Sequence, residues 1–151
     1  MICRRKLLAA PGALLAASCG GPPPPAVVDL TIGAAPDINP NVAGTPVSVA
    51  VRVYSLNASG RFASADVYSL MQREAQVLGT ESAGSEEVVV RPGESRKVTL
   101  MPKPGVRFIG VAVLFRDIDR SQWRAVAPIA ESGLTRLSLT ISGNKAALVS
   151  A

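Results

Sequence analysis

Alternating apolar and polar positions run through most of the chain and predict β-strands. Residues 47–54 alternate most clearly, because valine occupies every second position. A period of two is typical of a strand with one buried face. Residues 108–115 are apolar on both faces, which indicates a central strand that is covered on both sides. Shorter runs predict further strands at 27–32, 87–90, 96–100, 123–128, 137–142 and 146–149.

Seven or eight short strands separated by turn signals predict an all-β fold, a β-sandwich. One segment departs from the strand pattern. At 65–77 the apolar residues follow helical spacing, with Ser64 in the N-cap position and Gly79 just past the end. The sequence therefore predicts a sandwich with one added helix at about residues 65–77.

The first residues have the layout of a secretory signal peptide. Arg4, Arg5 and Lys6 form a positive region, an apolar run follows at 7–17, and small residues precede Cys19. The apolar run is about half of the ~20 residues that a membrane-spanning helix needs. We therefore predict a signal peptide at residues 1–18 and no permanent transmembrane helix there.

Cys19 changes the prediction from a secreted protein to an anchored one. Residues 15–19, Leu-Ala-Ala-Ser-Cys, resemble the lipobox of bacterial lipoproteins, whose cysteine thiol receives a diacylglycerol, although Ala16 stands where leucine is usual. The alternative is an ordinary signal peptide with an incidental cysteine. Gly20, in place of an aspartate, is consistent with export to the outer membrane. Residues 19–26 then form a lipidated cysteine with a proline-rich, extended tether, and residues 27–151 form the folded domain.

Composition argues against most chemistry. The chain has no histidine, and its two cysteines, Cys3 and Cys19, both lie near the N-terminus. Neither a conventional catalytic triad nor a structural zinc site can be built in the domain, so we expect no enzyme activity, metal, cofactor or small-molecule substrate. Asp117 and Asp119 are surrounded by arginines and are interpreted as a charged hairpin loop. The 16 Lys and Arg against 11 Asp and Glu are scattered, which argues against nucleic-acid binding.

A long loop at 34–46 follows the first strand. It contains three prolines, two asparagines and a glycine. Loops of this length in compact domains tend to be functional or mobile. The sequence therefore marks this loop as a candidate binding segment.

Several segments of the chain are informative when they are taken together: 36–40 with Gly44 and Pro46, 51–56, 62–70, Leu78-Gly79, 91–94, 115–117 and Trp123-Arg124. They cover most of residues 29–130. In their order and spacing they resemble the TssJ (VasD/SciN-like) family, the outer-membrane lipoproteins of type VI secretion systems.

This resemblance implies a transthyretin-like β-sandwich with an added helix. It also implies a function: docking the periplasmic domain of the inner-membrane protein TssM, from a lipid-anchored position at the outer membrane that faces the periplasm. In the family the loop between the first two strands contributes to partner binding, which points here to Asp37, Ile38, Asn39 and Asn41. The alternative for these four residues is simple turn chemistry. The alternative function is a β-sandwich lipoprotein that binds another envelope partner or a small ligand.

Overall fold

The computed structural model describes residues 21–151, which form two four-stranded β-sheets packed face to face. In the first sheet the strand order is β4-β1-β7-β8, and in the second it is β3-β2-β5-β6. The strands are β1 (Ala26–Ala34), β2 (Val49–Leu56), β3 (Ser82–Val90), β4 (Ser95–Leu100), β5 (Phe108–Val113), β6 (Arg124–Pro128), β7 (Gly133–Ser142) and β8 (Lys145–Ser150). The predicted all-β sandwich is confirmed.

The core lies between the two sheets and is built from the alternation seen in the sequence. In β1 the residues Val28, Leu30 and Ile32 are fully buried, while the positions between them are half-buried. β1 pairs in parallel with β7 and antiparallel with β4, so its apolar side chains sit at the centre of the first sheet. The opposing sheet contributes Val51, Val53, Ile109, Val111 and Val113.

β5 is covered on both faces, as its double apolar pattern predicts. Five of its six residues are buried. It lies between β2 and β6, and its outward-facing Gly110 and Ala112 lie under a helical layer. A second hydrophobic cluster therefore forms on the outer side of this sheet, around Tyr54, Phe62 and Leu70.

The helical layer covers the predicted residues 65–77, but it begins earlier and consists of three short helices instead of one. They are α1 (Gly60–Ser64), α2 (Val67–Gln72) and α3 (Glu74–Leu78). The prediction of Ser64 as N-cap is wrong, because Ser64 ends α1 and its hydroxyl donates to the carbonyl of Gly60 at 3.0 Å. The N-cap of α2 is Asp66, whose carboxylate accepts from the Ser69 amide at 2.9 Å.

Contacts with the sheet explain why the helix is interrupted twice. After α1, the Arg124 guanidinium from β6 donates to the free carbonyls of Phe62 and Ala65, which replaces the missing helical partners. After α2, Arg73 leaves the helical region and turns Glu74 towards the sheet. There the Glu74 carboxylate pairs with Arg52 of β2 at 3.2 Å. The spacing of apolar residues along the sequence does not predict hydrogen bonds and ion pairs between the helical layer and the sheet.

Gly110 leaves the space in which α1 packs against the sheet. A Cβ at this position would lie 2.9 Å from the Phe62 ring and 3.0 Å from Leu56. We expect Gly110→Val to lower the free energy of unfolding by about 2–3 kcal/mol, because the added side chain overpacks this contact. Chemical denaturation measures the loss. In a Phe62→Ala background the same substitution should cost clearly less, and equal costs in both backgrounds would contradict this packing.

β1 runs from one end of the sandwich to the other and defines two poles. The tether pole holds residues 21–25, the loop 101–107 and the loop 129–132. The loop pole holds the loop 35–48, the segment 114–123 and the turn 143–144. Nine residues at about 3.3 Å each separate the poles by about 30 Å.

Candidate functional site

The loop 35–48 is the longest connection at the loop pole, and it is firmly attached to the sandwich. Ile38 is fully buried in the main core cluster. Its burial therefore fixes the middle of the loop to the core, through the same hydrophobic effect that stabilises the packing of the strands.

Asn39 is the polar anchor of this loop. It is buried and has a positive φ of 48°, a conformation that asparagine tolerates better than most residues. Its side-chain amide donates to the carbonyl of Ser48 at 2.9 Å, and its side-chain oxygen accepts from the Arg116 amide at 2.8 Å. Its own backbone amide donates to the carbonyl of Gly143 at 2.9 Å. One residue thus joins the three segments of the loop pole.

We expect Asn39→Ala to lower the free energy of unfolding by about 2–4 kcal/mol. The substitution leaves two backbone groups without their partners and places alanine at a positive φ. Thermal or chemical denaturation measures this loss. Asn39→Gly removes the same side-chain bonds without the backbone strain, so it should be less destabilising than Asn39→Ala. A wild-type stability for both variants would contradict this role of Asn39.

The tip of the loop is organised by Asn41. Its side-chain oxygen accepts from the amides of Ala43 and Thr45 at 3.0 and 2.9 Å, and its backbone amide donates to the carbonyl of Thr45 at 2.8 Å. Gly44 completes the turn with a φ of +81°. This closed tip holds Val42 almost entirely in solvent, with 93% of the residue exposed.

Charged residues surround the exposed valine. Arg116 and Asp117 follow β5, are exposed, and line an open depression together with Pro40, Asn41 and Val42. On the other side of the loop, the Asp37 carboxylate accepts from the Gly143 amide at 3.2 Å and remains exposed. The surface therefore presents an exposed valine side chain beside positively and negatively charged groups.

The four residues predicted from the family resemblance divide into two groups. Asp37 and Asn41 reach the surface of the loop, whereas Ile38 and Asn39 are buried and hold the loop in place. In this conformation a partner has no access to the latter two side chains. Val42 was not among the predicted residues, because a lone valine in a polar loop resembles any other small apolar residue. Asp117 was predicted only as part of a charged hairpin loop.

The opposite pole carries the predicted tether. Cys19 and the signal peptide at 1–18 lie outside the described residues. Pro23, Pro24 and Pro25 are exposed, and Ala26, predicted as the last residue of the tether, already begins β1. Any anchor attached before residue 21 therefore joins the domain at the end that lies away from the loop 35–48.

Within 21–151 no group of three or more His, Cys, Asp or Glu side chains could hold a metal ion. Asp119 instead accepts a hydrogen bond from the Tyr68 hydroxyl at 3.1 Å, which raises the pKa of Tyr68. The described part of the chain also has no helix that is long and apolar enough to cross a membrane.

The fold and the ordered loop define a small β-sandwich domain with a surface loop that is fixed to its core, and comparisons with known proteins give its family. The family model of the type VI secretion lipoproteins (VasD, EvfM, TssJ) matches residues 26–144. The chain therefore belongs to the type VI secretion lipoprotein family, which confirms the resemblance to TssJ. The family consists of lipoproteins of a secretion apparatus and is not a known class of enzymes. No curated protein gives a significant sequence match.

Solved structures agree with this assignment. The chain is similar to the type VI secretion lipoprotein TssJ1 from Pseudomonas aeruginosa, with a TM-score of 0.81 and 29% identity over 85% of this chain and 98% of that chain. The Lip protein of Serratia marcescens, a membrane-bound component of its system, has a TM-score of 0.71, 22% identity and coverage of 84% and 96%, and it supports the fold alone. A chain in a type VI membrane complex has a TM-score of 0.71, 30% identity and coverage of 82% and 97%.

Proposed function

We propose that this protein is held at the outer membrane by a lipid on Cys19. We also propose that its loop pole docks the periplasmic domain of a TssM-like inner-membrane protein. A similar chain occurs in a structure described as the TssM C-terminal domain from EAEC, with a TM-score of 0.68, 31% identity and coverage of 82% and 97%. Together with the chain in a membrane complex, this match supports TssM as the class of partner.

The observation that carries the proposal is the construction of the loop tip. Ile38 and Asn39 fix the loop to the core, and Asn41 closes the tip, so that Val42 projects into solvent. A binding loop that is ordered before the encounter avoids the entropy cost of ordering on binding. Burying a valine side chain in a partner's pocket contributes about 1.5–3 kcal/mol.

The charged neighbours give the docking its orientation. Arg116 offers a guanidinium for a carboxylate of the partner, while Asp37 and Asp117 offer carboxylates for cationic side chains. Such groups at the rim of an interface steer encounter and fix register, and the buried apolar anchor supplies most of the affinity.

The arrangement of the two poles suits a mechanical linker. The predicted lipid attaches before the tether pole, and the docking loop lies about 30 Å away at the end of β1. Force between the outer membrane and the partner then runs along the first sheet, whose central strands β1 and β7 are paired over nine positions. Gly20 after the lipidated cysteine supports an outer-membrane location facing the periplasm. No catalytic step is involved.

A binding titration tests the docking. Purified residues 21–151 are titrated with the periplasmic domain of the cognate TssM-like protein, and we expect saturable binding. The Asn39→Gly variant should bind more weakly than wild type, because it retains the tip but loosens its attachment to Ser48 and Arg116. A lack of saturable binding at high micromolar concentrations would contradict the docking function and would favour another envelope partner.

A further inference from the structure

An apolar row crosses the outer face of the first sheet at the tether pole. Val27 of β1 pairs with Leu134 of β7, and Val28 pairs with Leu100 of β4. Met101 follows Leu100 and so lies beside Val27 in this register. Met101 is 74% exposed and Leu134 is 47% exposed, although both are large apolar side chains. Exposed apolar side chains grouped at one site mark an interaction surface.

The tether leaves the domain beside this row. An open cavity beside the tether is lined by Pro23, Pro24, Pro25, Pro102, Pro104, Glu131 and Ser132. The chain therefore continues from the sandwich along a proline-rich surface. Lys103 lies between Pro102 and Pro104 in the loop 101–107 and is exposed. A lysine in this position can extend its ammonium group to lipid headgroups while its methylenes cover apolar surface.

Chain length limits the distance between this surface and the proposed lipid anchor. Only six residues, 20–25, lie between Cys19 and Ala26, where β1 begins, so the two Cα atoms are seven steps apart. Fully extended, this segment spans at most about 25 Å. The acyl chains would therefore enter the bilayer within that distance of Ala26, which lies next to Val27 at the end of the apolar row. A surface so close to an anchor has a very high effective concentration of lipid, and even a weak apolar contact becomes populated.

We propose that the apolar row of Val27, Met101 and Leu134, together with the adjoining prolines, rests on the lipid headgroup and upper acyl region of the membrane. This inference rests on the proposed anchor at Cys19 and adds an orientation to it. With the tether pole on the membrane, β1 points away from the bilayer and the loop tip with Val42 faces the periplasm, accessible to its partner.

Fluorescence quenching by lipids tests the contact without relying on cellular lipidation. Residues 19–151 contain Cys19 as their sole cysteine. This thiol is coupled to a maleimide phospholipid in vesicles of phosphatidylethanolamine and phosphatidylglycerol that include brominated lipid. This fragment is suitable because it contains all eight strands of the described sandwich. The natural Trp123 lies at the loop pole and serves as a constant reference.

A tryptophan placed at the tether pole should report contact with the bilayer. In the Met101→Trp variant we expect bromine quenching and a shift of emission to shorter wavelength, whereas Val42→Trp at the far pole should behave as in water. Adding Leu134→Asp to Met101→Trp should reduce the quenching. Equal, low quenching in both tryptophan variants would overturn the proposal. A blue shift that appears only at high surface density and without quenching would also overturn it, since it would indicate contact between two copies of the domain.

The outcome is independent of the docking function. Chemical coupling supplies the anchor, and no partner protein is present. A negative quenching result with normal partner binding would remove only the membrane contact. Normal quenching with no partner binding would remove only the docking function.

Discussion

Val42→Asp should weaken binding to the TssM-like periplasmic domain by about 30-fold or more, which corresponds to about 2 kcal/mol. Val42 is 93% exposed in the free protein, so the substitution leaves the folded domain intact. In the complex it would place a carboxylate in the pocket that receives the valine, where a charge without a partner is costly. Isothermal titration calorimetry measures the dissociation constant and the heat of binding for both proteins.

A matched control separates the loop tip from general surface effects. Val149 is also an exposed valine, with 57% of the residue accessible, and lies on the outer face of the first sheet away from the loop pole. Val149→Asp adds the same charge, so it should leave the dissociation constant unchanged. An equal effect of the two substitutions, or none at position 42, would contradict the role given to the tip.

Cys19→Ser should release the protein from the membrane fraction entirely. Serine cannot receive the thioether-linked lipid, and the folded domain has no described helix able to cross a membrane. Acyl chains contribute about 0.8 kcal/mol for each buried methylene, so their loss outweighs any contact made by Met101 or Leu134. Fractionation of cells expressing the full chain measures the change. Cys3→Ser, inside the predicted signal peptide, should have no effect, and membrane association of Cys19→Ser would contradict the lipid anchor.

The strands were predictable because their burial follows simple periods. Alternation in β2 and the double apolar pattern of β5 each correspond to the observed layers. Tyr54 is an exception, because alternation assigned it to the face of β2 opposite the core. The helical layer covers that face, and Tyr54 is fully buried against Phe62, with ring centroids 5.1 Å apart. The periodicity of a strand shows which residues share a face of the sheet, but it does not show which element covers that face.

The breaks in the helical layer could not be predicted for a similar reason. Spacing of apolar residues from Val67 to Leu78 fits one continuous helix. The observed ends depend on Arg124, more than fifty residues away, and on the pair between Arg52 and Glu74. Only the Asp66 cap is local, and the predicted cap, Ser64, lies two residues before it.

The candidate site was predicted as a loop but not as individual contacts. Its length and turn residues marked the segment, and the family resemblance gave it a role. The same asparagine and isoleucine that suggested contacts are buried, because Asn39 bonds to Ser48 and Arg116 and Ile38 enters the core. Arg116 is 77 residues away from Asn39, so the sequence around the loop gives no local sign of this burial.

Site-specific photocrosslinking in cells tests the docking role of the loop pole most directly. A photoreactive amino acid is placed at position 42 of the full chain, with position 149 as the matched site on the sheet face. We expect a crosslink from position 42 to the TssM-like protein and none from position 149. Crosslinking from position 149 but not from position 42 would show that the partner binds the sheet face and would contradict docking through the loop.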